Sequence, residues 1–180
     1  MFENKNIALA LEENAIRRGP HPAIIEGAKT ITYQELDPMV RRVAGHLADQ
    51  GVGEGSIIGV CLPDCADHLM INYAVARLGA VILPLDWRWT EVEKTNVAAF
   101  FKVSLIVGLP ESELAAFSFI SVDEAWHEAV GARAPDTACA SGGDRPVVLS
   151  LSSGTTGRPK GPMMTHAQFT ARFVMQWVTL

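Results

Sequence analysis

Ten residues, Ser152-Ser153-Gly154-Thr155-Thr156-Gly157-Arg158-Pro159-Lys160-Gly161, hold the most chemically suggestive spacing in this chain. Four hydroxyl side chains, three glycines and one lysine follow directly on the apolar run Val147-Val148-Leu149. Glycine lets backbone N–H groups approach an anion closely and point at one spot. The hydroxyls add donors for phosphate oxygens. Lys160 brings a mobile positive charge to the loop's exit, where a charge-assisted hydrogen bond is strong. A strand that runs into such a loop is built to hold a polyphosphate.

Other loops of similar composition do not fit. A Walker A loop needs G-x-x-x-x-G-K-[ST], yet Pro159 precedes Lys160 and Gly161 follows it. A nucleophile elbow needs G-x-S-x-G, and none of Ser150, Ser152 or Ser153 sits between two glycines at that spacing. A plain Ser/Gly connector leaves Pro-Lys-Gly after Gly-Thr-Thr-Gly unexplained. This is a phosphate loop of another kind.

The elements that must position the loop can be read upstream of it. Residues 6–18 read as a helix with Ile7, Leu11 and Ile16 on roughly one face, stopped by Gly19-Pro20. Residues 23–32 read as a hairpin around Gly27-Ala28. Thr32 and Glu35 form a capping box, opening a helix with the apolar stripe Leu36, Val40, Val43 and Leu47, ended by Gly51. Pro38 should kink that helix or delay its regular start.

Residues 57–62 form an apolar run suited to a strand covered on both faces. A helix over 65–78, a strand over 81–83, and a helix capped by Thr90 and Glu93 follow. Strands over 103–107 and 119–122, a helix over 124–130 and a small-residue linker over 131–144 lead to the strand 147–151. This alternation predicts an α/β fold, a mostly parallel sheet with helices on both faces. Ligands of such sheets bind beyond the carboxyl ends of the strands, where the loop falls.

Composition narrows the partners. With 180 residues the chain has the size of one ordinary domain, and 48% hydrophobic residues supply a core. A formal charge of −5 and the lack of a basic stripe argue against a nucleic-acid partner. No apolar run approaches the ~20 residues that span a bilayer. Residues 1–19 carry too many charges for a secretory signal. Three cysteines, an odd number, suggest free thiols in a reducing, cytoplasmic setting. Residues 169–180 form an apolar helix-like run without a capping glycine. That reads as a fragment, expected to self-associate through this helix or to be only marginally stable.

The loop resembles the signature of the adenylate-forming, or AMP-binding, superfamily, roughly [ST]-[ST]-G-[ST]-[ST]-G-x-P-K-G followed by [ST]-H, here Thr165-His166. Pro162 and Gln168 depart from the usual small aliphatic residue and Asn. Upstream, Ile31-Thr32-Tyr33-Gln34-Glu35-Leu36, the segment from Gly51 to Val60, and Leu78-Gly79-Ala80-Val81-Ile82-Leu83-Pro84-Leu85-Asp86 resemble further family stretches, with Arg88, Thr90 and Glu93 continuing the last. The resemblance covers nearly all of the chain, in order.

It implies that residues 1–180 are the N-terminal part of an AMP-binding domain, without the family's C-terminal lid domain. It also implies an acid–CoA ligase activity: a small carboxylic acid is activated with ATP and Mg²⁺ as acyl-AMP and passed to CoA. Ser152, Ser153, Gly154, Thr155, Thr156, Gly157 and Lys160 would hold the β- and γ-phosphates. The family's adenylation lysine and most of its acid pocket lie beyond Leu180, so the isolated chain is expected to be inactive. The alternative is a truncated non-catalytic module with at most weak nucleotide binding.

Other candidates carry less. Cys61, Cys65 and His68 invite a metal, yet no second ligand pair follows and zinc sites want four; core packing explains them better. Trp87 and Trp89 flank Arg88 and suit either an aromatic ligand or cover for the sheet's end. The resemblance implies a position near the nucleotide for His166, whereas its place at a helix start suits a local hydrogen bond. Asp64, Asp67, Asp86 and Asp123 show no pairing suited to acid–base work.

Overall fold

A computed structural model describes residues 5–140, 142–151 and 160–178. The first helix, α1 (Ile7–Arg17), starts at Asn6, whose Oδ1 accepts from the Ala8 N–H at 2.9 Å. The same side chain, fully buried, donates to the carbonyls of Ala76 and Ala140. One amide therefore caps the helix and ties it to distant chain. Ala8 and Leu11 face inward. Ile16 does not share that face: it is 80% exposed, because five residues past Leu11 turn it well away from the buried stripe.

Strands β1 (Pro22–Glu26) and β2 (Lys29–Thr32) form the expected hairpin, with Gly27 at a φ of +58° in its turn. Helix α2 (Tyr33–Asp49) opens on the capping box, Glu35 accepting from the Thr32 N–H at 2.8 Å. The stripe Leu36, Val40, Val43 and Leu47 is buried throughout. Pro38 does not delay the helix, which begins at Tyr33. A proline in the second turn forfeits one backbone bond, and burial of four aliphatic side chains, each worth roughly 1.5–3 kcal/mol, outweighs that loss.

The main sheet contains β3 (Ile57–Cys61), β4 (Val81–Pro84), β5 (Leu105–Gly108), β6 (Phe119–Ser121), β7 (Pro146–Leu149) and β8 (Met163–Thr165). Its spatial order is β6-β5-β3-β4-β7-β8. All neighbours are parallel except β7 and β8. The strand alternation separates two layers. Ile58, Val60, Ile82, Leu105 and Val107 join the core shared with α2, α3 (Ala66–Arg77) and α5 (Glu124–Gly131). Cys61, Val81, Leu83 and Ile106 face the opposite core under α4 (Glu91–Phe100). Helices therefore cover both faces, as the sequence pattern predicts.

The neighbours β3 and β4 matter most for function. The chain leaving β3 turns into α3 on one face, and the chain leaving β4 turns into α4 on the other. Their carboxyl ends diverge and open a crevice, the topological switch point where α/β sheets bind ligands.

The described residues among 132–145 add no helix or strand, but they are fastened to the body. Thr137 accepts from the Arg77 guanidinium at 2.7 Å, and the Ala140 N–H donates to the Arg77 carbonyl at 2.7 Å. Arg145 pairs with Glu54. What reads as a linker is a strap that returns the chain to β7. Among the described residues no helix is long and apolar enough to cross a membrane.

Candidate active site

Strand β7 ends at Leu149, two residues earlier than the sequence pattern predicts, and Ser150 and Leu151 lead out of the sheet. The chain returns through Lys160 and Gly161 into β8. The Ser150 N–H donates to the Pro162 carbonyl at 3.0 Å and closes the neck of the loop. Pro162 thus keeps a use for its acceptor while lacking a donor. Gly161 lies against Phe101 and Leu151: a Cβ there would meet the Phe101 ring at 3.1 Å.

Of the site residues expected from sequence, Ser152, Ser153, Gly154, Thr155, Thr156 and Gly157 lie outside the described residues. Lys160 is described and exposed, at the returning end of the neck. The geometry fixes where the loop leaves and re-enters, at the carboxyl end of β7.

That neck borders a cavity of about 780 Å³ at the switch point. Leu62, Leu85, Trp89, Leu149 and Phe169 give it apolar walls, and Ser150 and Leu151 bring the start of the loop to it. Its ionisable groups are Asp64, His68, Asp86, Arg88 and Arg172. Arg88 donates to both Asp86 oxygens, at 2.9 and 2.7 Å, and its backbone N–H donates to the same carboxylate. These bonds hold the Asp86 carboxyl down at about 2. A second cavity of about 500 Å³ adjoins the first, sharing His68, Pro84, Val148 and Phe169.

The remaining sequence candidates separate. Cys61 is buried in β3, and Cys65 is the residue before α3. His68 Nδ1 lies 3.2 Å from the Pro63 carbonyl. Among the described residues no three His, Cys, Asp or Glu side chains converge as metal ligands. Trp89 packs against the α4 core and covers the sheet's end, whereas Trp87 is 48% exposed. Asp123 caps α5 and Asp67 meets His127.

His166 is not beside the neck of the loop. Thr165, its neighbour, pairs with Pro146 at the amino end of β7, so His166 lies at the end of the strand opposite the loop. It is fully buried, and its Nδ1 accepts from the Ile7 N–H at 3.2 Å. Burial pushes its pKa down to about 4. The bond is long-range, not the local one that a helix-start histidine is expected to make. Its role is to dock the start of helix α6 (His166–Val178) onto α1.

Gln168, an apparent departure, completes a third capping box. Its Oε1 accepts from the Thr165 N–H at 3.0 Å, and its own N–H donates to the Thr165 hydroxyl at 3.2 Å. The [ST]-x-x-[EQ] spacing was there to be read. His68 and Arg172 as cavity residues carry no such signal, since only the folded sheet brings α3 and α6 together.

A sequence model of the family described as "AMP-binding enzyme" matches residues 11–180. The chain belongs to that family. The AMP-binding family comprises adenylate-forming enzymes that use ATP with Mg²⁺, among them CoA ligases and the adenylation domains of nonribosomal peptide synthetases. A feruloyl-CoA synthase of Amycolatopsis sp is 32% identical over 160 residues, covering 86% of this chain and 32% of the synthase. The probable non-canonical nonribosomal peptide synthetase CymA of Salinispora arenicola is 30% identical, over 83% of this chain and 2% of its own length. The fold matches apo MatB from Rhodopseudomonas palustris with a TM-score of 0.85 at 23% identity, covering 93% of this chain and 36% of MatB. The chain thus spans about a third of the length of the feruloyl-CoA synthase.

Proposed function

We propose that this chain is the N-terminal, triphosphate-holding part of an ATP-dependent carboxylic acid–CoA ligase. The observation that carries the reading is the placement of the loop's neck beside the switch-point cavity. Ser152, Ser153, Thr155 and Thr156, with the N–H groups of Gly154 and Gly157, donate to the β- and γ-phosphates. Lys160 neutralises them. The acid's carboxylate oxygen attacks the α-phosphorus, the bond to the bridging oxygen breaks, and pyrophosphate departs. A thiol then displaces AMP from the acyl carbon. The chain's contribution is positioning and electrostatic: it holds the triphosphate in line and stabilises charge on the leaving pyrophosphate. Mg²⁺ would add to that charge neutralisation, but the described residues offer it no ligand cluster, so no step is assigned to it.

CoA as the acceptor is supported by the similarity to the feruloyl-CoA synthase, while CymA argues for a carrier-bound thiol. The complete enzyme is given one acid, ATP and either free CoA or a pantetheinylated carrier protein. Thioester on free CoA is expected. Loading of the carrier alone would overturn the CoA reading and leave adenylation standing.

A further inference from the structure

Among the described residues, His68 is the only ionisable one shared by the two adjoining cavities. Its Nδ1 lies 3.2 Å from the Pro63 carbonyl oxygen. A carbonyl can only accept, so in the neutral ring Nδ1 carries the hydrogen and Nε2 keeps its lone pair. No partner for Nε2 is found among the described residues, nor is it one of the buried unpartnered atoms. The His68 side chain lines both cavities and is 23% exposed. One ring nitrogen is thus fixed by the backbone and the other keeps a lone pair, as an oriented base requires.

The reaction proposed above releases one proton, and only in its second half. An acid enters the first half already ionised, whereas the thiol must lose its hydrogen. The other titratable and charged groups in or beside these cavities are poor recipients. Asp86, after β4, is committed to Arg88 and titrates at about 2. Arg88 and Arg172 of α6 are permanent cations. Asp64, 3.9 Å from Nδ1, has a fully exposed carboxylate. Cys65 lies one turn back, its thiol pushed up by burial, and Tyr73 in the second cavity is pushed up by burial as well.

We propose, resting on the ligase reading, that His68 Nε2 is the proton acceptor for the incoming thiol. The S–H bond breaks and its proton passes to Nε2. The sulfur's electron pair forms the S–C bond to the acyl carbon. The C–O bond to AMP breaks, and its pair leaves with the phosphate oxygen. AMP and His68 imidazolium are the products beside the thioester, and the proton is then lost to water.

The test uses the complete enzyme with preformed acyl-adenylate and CoA, and separately pyrophosphate–ATP exchange. His68→Gln keeps a polar side chain but cannot take a proton. At pH 7 it is expected to slow thioester formation about 100-fold while changing exchange far less. The deficit should shrink toward parity above roughly pH 9, where a thiol of ordinary pKa near 8.5 ionises unaided. An aryl thiol already ionised at neutral pH should likewise erase it. Equal losses in both assays, or a deficit unchanged by pH and by the acidic thiol, would mean a structural residue and overturn the proposal. Absence of exchange in the unsubstituted enzyme would instead refute the ligase reading, and His68 with it.

Discussion

Lys160→Ala in the complete enzyme is expected to slow acyl-adenylate formation about 10²–10³-fold, the usual cost of losing one preorganised donor to developing charge. The same variant should convert preformed acyl-adenylate and CoA to thioester at nearly the native rate. The asymmetry follows from where charge moves. Lys160 stands at the return of the loop, beside the neck closed by Ser150 and Pro162. The β- and γ-phosphates that the loop suits leave as pyrophosphate in the first half-reaction, and the second contains no triphosphate. Lysine is a flexible point charge, so the loss belongs nearer the lower end. Thr156→Ala should repeat the pattern more weakly, since a hydroxyl donates without carrying charge. The two rates are measured separately, with acid plus ATP and with synthetic acyl-adenylate plus CoA. Equal losses would assign the loop to the fold and withdraw the role of Lys160.

Arg77→Met is expected to destabilise the chain by about 3–5 kcal/mol, the range for breaking a buried ion pair from one side. Arg77 is 2% exposed. Its guanidinium donates to Thr137 at 2.7 Å and to Glu12 at 3.3 Å, and lies 3.9 Å from Asp37. Arg41 closes the cluster, 2.9 Å from Glu12 and 2.7 Å from Asp37. Two cations and two carboxylates thus join α1, α2, α3 and the strap. Removing Arg77 leaves two acids facing one arginine and frees the Thr137 carbonyl. Glu12 is partly open to water, which places the cost at the lower end. Urea unfolding followed by circular dichroism measures it. A loss under about 1 kcal/mol would mean that water replaces the guanidinium at little cost.

This cluster also marks a limit of sequence reading. Glu12, Asp37 and Arg77 are far apart along the chain, and nothing local distinguishes Arg77 from the exposed basic residues that commonly end helices. Elements set by local signals were legible. Thr32 with Glu35 and Thr90 with Glu93 start helices α2 and α4 as their spacing predicts, and Gly27, Gly51 and Gly79 take positive φ where chain reversal requires it. The parallel sheet followed from apolar runs alternating with helical stripes.

What escaped depended on tertiary placement. Ile16 lies off the buried face because a five-residue step turns it about 140° from Leu11. His166 is close to the loop in sequence, yet an antiparallel strand carries it to the far end of β7 from the loop's neck. In sequence His68 stands out only beside Cys61 and Cys65, since the junction of two cavities has no sequence signature. The proposal that residues 152–161 hold a triphosphate rests on ten consecutive positions, where residue types and spacing carry the argument without tertiary information.

Acid-dependent exchange of labelled pyrophosphate into ATP by the complete enzyme tests the central claim most directly. Exchange requires in-line attack by a carboxylate, reversible departure of pyrophosphate, and a loop that holds both. With a panel of aliphatic and aromatic acids, at least one is expected to support exchange well above the acid-free rate, and Lys160→Ala should reduce that signal about 10²–10³-fold. Exchange that is absent with every acid, or undiminished in Lys160→Ala, would contradict the assignment of residues 152–161 to the triphosphate.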